Sequence, residues 1–152
     1  MENKSEKYES IIDFLRNSKN LHKETIYSEI VNLLYFNFPK MDWVGFYEKD
    51  ENLDELYLSN YVGELACEKI NVNNGVCGKC YREKEIQLVK DVHSTPYHIA
   101  CSSSTQSEIV VPILNKNGEC VSVLDIDSDC LDAFDKDDYK YLADITRFLT
   151  NI

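Results

Sequence analysis

The chain has 152 residues, of which 43% are hydrophobic and 28% are charged, and its formal net charge is −11. This length and composition predict one globular domain that can bury a core without disulfide staples. The acidic surface argues against binding to nucleic acid or to an anionic membrane. No apolar run reaches transmembrane length and the N-terminus shows no secretory signal, so we expect a cytoplasmic protein.

The N-terminal part is predicted to be helical. Apolar residues recur at helical spacing over residues 6–17 and again over residues 22–37, and Pro39 ends the second run. Residues 1–38 are therefore expected to form a layer of two helices.

Residues 41–134 are predicted to contain the sheet and the loops of a functional site. Expected strands cover residues 41–49, 54–61, 67–72, 86–89, 108–114 and 120–127, with a short helix at 76–84. A final helix is predicted over residues 135–151, with Asp135 as its N-cap and with Tyr139, Leu142, Ile145 and Leu149 on its apolar side. The fold class is α+β: one antiparallel sheet of five to six strands, with the N- and C-terminal helices on one face.

The segment from Asp91 to Glu108, DVHSTPYHIACSSSTQSE, combines the residue types of a nucleophile site. His98 precedes Cys101 by three residues and His93 precedes it by eight. Because a free thiol has a pKa near 8.5, a neighbouring imidazolium would raise the thiolate fraction of Cys101. The alternative is a buried cysteine in a turn-rich loop.

Three acidic residues are expected to converge beside this segment. Asp125 and Asp127 lie on one face of a strand because side chains alternate. Counting back from the turn at 116–118 pairs residue 114 with 120, which brings Glu108 near 126 and Asp127. Carboxylates held together in this way raise one another's pKa. The alternative is a solvent-exposed strand end.

The remaining candidates are cysteines and aromatic residues. Cys77 and Cys80 form a C-x-x-C motif without a second such pair, so a zinc site would need Cys67 and Cys101 as its other ligands. Trp43 and Tyr47 share one strand face, and their spacing alone favours a core role.

Seven short strings, in this order and spacing, resemble the GAF-domain free methionine-(R)-sulfoxide reductases: WVGFY, ACEKI, NGVCG, QLVKDVH, HIAC, SEIVVPI and VLDIDS. The cysteines at 67, 77 and 101 also follow that family's spacing of ten and then twenty-four residues. The chain departs from the family pattern at Asn73, Asn74, Tyr97 and Ser102. The resemblance implies a single GAF domain over residues 1–152.

The resemblance also implies a mechanism for reducing free methionine-(R)-sulfoxide. Cys101 would be the nucleophile and become a sulfenic acid, Cys67 would condense with it, and Cys77 would be a secondary resolving thiol. Thioredoxin or a similar dithiol would reduce the enzyme. The implied substrate-binding residues are Trp43, Tyr47, Glu108, Asp125 and Asp127. We expect no cofactor and no metal, and a homodimer is possible. The alternative is a GAF sensor that binds a small molecule without chemistry.

Overall fold

The structure is a computed structural model that describes residues 3–96, 101–150 and 152. Its helices are α1 (Lys4–Arg16), α2 (Lys23–Asn37), α3 (Gly75–Glu83) and α4 (Lys136–Phe148), and a 3-10 turn covers Val92–Ser94. Its strands are β1 (Trp43–Lys49), β2 (Glu55–Val62), β3 (Lys69–Asn71), β4 (Gln87–Val89), β5 (Ser107–Leu114) and β6 (Cys120–Ser128). Every predicted helix and strand is present, with ends shifted by a few residues.

The six strands form one antiparallel sheet in the order β3-β2-β1-β6-β5-β4. The two long hairpins, β1–β2 and β5–β6, meet in the middle, where β1 pairs with β6. The predicted α+β class and strand number are confirmed. No helix in the described part of the chain is long and apolar enough to cross a bilayer.

Strand alternation gives the sheet two different buried faces. Helices α1, α2 and α4 cover one face, where they bury Val44, Phe46, Ile109, Leu124 and Ile126 in the main core. Helix α3 covers part of the other face. There it packs against the strand residues that alternate with those of the main core. The terminal helices therefore lie on one face, as predicted, and the second face is left for the site.

Helix α4 begins as predicted, and Leu142, Ile145 and Leu149 are buried on its apolar side as expected. Asp135 is its N-cap and forms a capping box with Asp138. Tyr139 was expected on the apolar side and is instead 44% exposed, so that expectation is wrong. Asp138 is buried in its place because Tyr8 of α1 donates a 2.6 Å hydrogen bond to it and Lys4 forms a 2.9 Å ion pair with it.

The predicted register of the β5–β6 hairpin is wrong by one residue, because β6 has a β-bulge next to the turn. Leu114 pairs with Cys120, as counted, but Ile113 pairs with Ser122, so Val121 is an extra residue on β6. The remaining pairs shift by one, and Glu108 lies opposite Asp127 rather than residue 126. Because directly opposed residues point to the same face, the bulge places Glu108 on the face of Asp127.

Candidate active site

The site is centred on a disulfide between Cys67 and Cys101. These residues are 34 positions apart in the chain, and their Cα atoms are 5.4 Å apart. Cys67 lies in the segment that leads into β3, and Cys101 lies in the segment that leads into β5. The structure thus joins the two cysteines that the resemblance pairs.

Three carboxyl groups line a small cavity together with Cys101 of this disulfide. Asp125 and Asp127 project from β6, and Glu108 projects from the facing end of β5. Glu108 and Asp125 are each only 5% exposed. Burial, together with the negative charge of its neighbours, raises the pKa of each of the three carboxyl groups well above the ordinary value. At least one of them is therefore expected to hold a proton near neutral pH.

Cys77 completes this group from the first turn of α3. Its sulfur and an oxygen of each of Glu108 and Asp125 all lie within 4.8 Å of one another. Burial and the neighbouring acids raise the pKa of the Cys77 thiol well above its ordinary value, so it is protonated at neutral pH. Among the described residues, these three are the one set of histidine, cysteine or acidic ligand atoms that lie close enough together to share a cation.

The cavity that Cys101 and the three acids line has a volume of about 30 Å³. That volume accommodates about one water molecule, so the disulfide form is closed to anything of amino-acid size. Several of its walls carry no signal in the sequence, because ordinary apolar and hydroxyl residues form them. The lining residues are Ile70, Gly75, Val76, Cys77, Cys101, Ser102, Thr105, Glu108, Asp125 and Asp127.

The two candidate aromatic residues lie on the site face of β1 but outside the lining of this cavity. Trp43 lines a larger neighbouring groove of about 570 Å³, together with Ser102, Thr105 and Asp127. Tyr47 is 1% exposed, and its hydroxyl donates a 2.8 Å hydrogen bond to the Cys67 carbonyl oxygen. Both residues are therefore close to the disulfide.

The other residues that the sequence suggested lie outside the lining of this cavity or outside the described residues. His93 is exposed in the 3-10 turn, where its backbone N–H donates to Asp91. His98 and Tyr97 lie outside the described residues. Cys80 is fully buried and its thiol points to the Val110 carbonyl, at 3.6 Å. With Cys67 and Cys101 joined to each other, the four-cysteine zinc arrangement is not formed.

Comparison with known proteins agrees with this geometry. A GAF domain model matches residues 24–151. The free methionine-R-sulfoxide reductase of Escherichia coli (strain K12) is 37% identical over 120 residues, which are 79% of this chain and 71% of that protein. The chain belongs to the GAF-domain family of free methionine-R-sulfoxide reductases.

Solved structures of reductases in this family show the same fold. The free methionine-R-sulfoxide reductase of Neisseria meningitidis, in complex with its substrate, has a TM-score of 0.91 and 36% identity, covering 99% of this chain and 90% of that one. The reduced Staphylococcus aureus reductase has a TM-score of 0.87 and 34% identity, covering 97% and 93%. Membership in this reductase family confirms the predictions of a GAF domain and of an oxidoreductase.

Proposed function

We propose that this chain reduces free L-methionine (R)-S-oxide to methionine, with Cys101 as the nucleophile. The observation that carries the proposal is the Cys67–Cys101 disulfide facing a cavity walled by three buried acids. The names of the relatives support the choice of substrate.

The cysteines account for the electrons of the proposed reaction. The reduced Cys101 thiol attacks the sulfoxide sulfur, takes over its oxygen and becomes a sulfenic acid, while methionine is released. The Cys67 thiol then attacks the Cys101 sulfur, so that an S–S bond forms, the S–O bond breaks and water leaves. A dithiol reductant, for which we propose thioredoxin, exchanges with this disulfide and restores both thiols.

The acids account for the protons and for the preference for a free amino acid. Oxygen is a poor leaving group unless it is protonated, and a carboxyl group with a raised pKa can supply that proton at neutral pH. We assign this role to the group of Glu108, Asp125 and Asp127. A carboxylate of the same group would bind the substrate's ammonium, which a methionine within a peptide does not have.

Substrate entry requires a change from the disulfide form, because the present cavity accommodates only about one water. Reduction releases Cys101 from Cys67, and the groove that Trp43 lines could then join the cavity. In that form Trp43 and Tyr47 would contact the methyl side of the substrate.

Cys77 would serve as the second resolving thiol. Homodimerisation and a cytoplasmic location, where reducing thiols are maintained, belong to the same proposal.

The proposal is tested by measuring methionine release from the separate R and S epimers of free methionine sulfoxide, with thioredoxin and its reductase. We expect turnover of the R epimer alone and none of a peptide-bound sulfoxide. Cys101→Ser should abolish turnover, whereas Cys130→Ser, which removes an exposed free thiol, should not. No turnover of either epimer by fully reduced protein would favour the non-catalytic GAF sensor.

A further inference from the structure

Two aromatic side chains of β1 reach across the sheet to the segment that carries Cys67. We define the Cys67 segment as residues 63–68, between the ends of β2 and β3. The Tyr47 hydroxyl donates to the Cys67 carbonyl oxygen at 2.8 Å, and the Trp43 indole N–H donates to the Glu64 carbonyl oxygen at 2.9 Å. Within the described residues, these are the side-chain hydrogen bonds that hold residues 63–67.

Both donors are themselves held firmly in place. Tyr47 is 1% exposed on a central strand, and its ring stacks on Trp43 with centroids 6.1 Å apart. The indole lies between two glycines: a Cβ on Gly45 would come within 2.3 Å of the ring, and one on Gly63 within 2.6 Å. A side chain at either glycine would displace the indole, so its position depends on both.

Apart from the disulfide itself and the packing of Ala66 and Cys67 against the second core, the Cys67 segment has little other support. Its last residue, Glu68, accepts a backbone hydrogen bond from Leu58 at 2.8 Å, and regular β3 pairing starts only after it, at Lys69. The two aromatic donors therefore fix the carbonyl of Cys67 itself and a carbonyl three residues earlier. Fixing a reactive group in this way raises its effective concentration for an intramolecular reaction.

We propose that Trp43 and Tyr47 are positioning residues for disulfide formation, because their hydrogen bonds hold Cys67 where its sulfur meets Cys101. The inference rests on the proposed function. The step concerned is attack of the Cys67 thiol on the sulfenic acid, with formation of the S–S bond and loss of water. Fast closure protects the sulfenic acid from further oxidation. This role is separate from contact with the substrate, because that contact occurs before the sulfenic acid has formed.

The experiment uses Tyr47→Phe, which keeps the ring and removes only the donor. Reduced enzyme is mixed with one equivalent of free methionine-(R)-sulfoxide without reductant, in the presence of a limiting 1,3-dione that traps sulfenic acid. We expect the trapped fraction of Cys101 to rise about ten-fold over wild type, which is the change expected when one buried hydrogen bond is lost. Loss of free thiols should correspondingly lag behind methionine release.

Tyr27→Phe is the matched control, because the Tyr27 hydroxyl is also buried and lies 2.8 Å from Ser122 on the other face of the sheet. It should leave the trapped fraction at the wild-type value. Trp43→Phe removes the second donor and gives an independent variant if Tyr47→Phe does not fold. The proposal is overturned if both donor variants trap no more sulfenic acid than wild type, even where methionine release is slower. Failure of wild type to release methionine would instead reject the proposed function.

Discussion

The buried acids predict that Asp125→Asn stabilises the disulfide form of the protein, increasingly so as the pH rises. Burial and charge repulsion raise the pKa of Asp125 in the folded state. A carboxyl group whose pKa is raised by folding costs no stability below its unfolded pKa of about 4, and the cost grows as the pH rises toward the folded pKa. Asparagine has no such titration, and its carbonyl can still accept from the Cys77 thiol.

The size of the effect follows from the spacing of the groups. Two ionised carboxylates with oxygens no more than 4.8 Å apart repel by about 3.5 kcal/mol or more at an effective dielectric constant of about 20. Holding a proton on one of them instead costs about 1.4 kcal/mol for each pH unit above its unfolded pKa. At pH 5.5, about 1.5 units above the unfolded pKa, that proton costs about 2 kcal/mol. At pH 8.5 it would cost more than the repulsion, so the repulsion of about 3.5 kcal/mol sets the scale. We therefore expect Asp125→Asn to stabilise the protein by about 3.5 kcal/mol at pH 8.5 and by about 2 kcal/mol at pH 5.5. The larger value corresponds to a rise of about 10 °C in Tm.

The assay is urea unfolding of wild type and Asp125→Asn at pH 5.5, 7 and 8.5, with the disulfide intact. The contrasting variant is Asp138→Asn, at an equally buried acid that accepts from Tyr8 and pairs with Lys4. Asp138→Asn should destabilise the protein by about 2 kcal/mol, because bonds to a charged acceptor are weakened. A stabilisation by Asp125→Asn that does not change with pH, or a destabilisation, would refute the argument from charge repulsion.

The remaining predictions concern resolution, packing and capping. In Cys67→Ser, a disulfide between Cys101 and Cys77 should form more slowly than the Cys67–Cys101 disulfide of wild type, because burial raises the pKa of the Cys77 thiol. Peptide mapping over time measures this rate, and an equal rate would contradict the prediction. Gly63→Ala, at φ +129°, should displace Trp43 and cost about 2 kcal/mol in urea unfolding, and an unchanged midpoint would contradict it. Asp135→Ala should cost about 1 kcal/mol through loss of the capping box and leave turnover unchanged.

Local sequence signals predicted much of the fold because the deciding interactions are local. The alternation of Val44 and Phe46 with Trp43 and Tyr47 follows from strand geometry, and the structure places the two pairs in different cores. The Asp135 cap depends on residues within one helical turn. The β5–β6 hairpin brings Glu108 near Asp127, and a short turn specifies that hairpin, although the bulge at Val121 sets the exact pairing.

The errors arose from a local irregularity of one hairpin and from contacts between distant parts of the chain. The register that was predicted by counting from the turn is wrong by one residue. The bulge at Val121 lies so close to the end of the strand that the hydrophobic alternation does not reveal it. Tyr139 was placed on the wrong side of its helix because the contact of Asp138 with Tyr8 joins residues 130 positions apart. The hydrogen bonds from Trp43 and Tyr47 to the Cys67 segment depend on how an irregular connection folds back, which spacing does not encode.

The position of Trp43 gives the protein a built-in optical probe. It is the chain's only tryptophan, and its indole N–H is bonded to the segment that carries one half of the disulfide. Indole emission responds to the polarity and hydrogen bonding around the ring. Opening and closing of the disulfide can therefore be followed by intrinsic fluorescence in real time, without a label and with no other indole contributing to the signal.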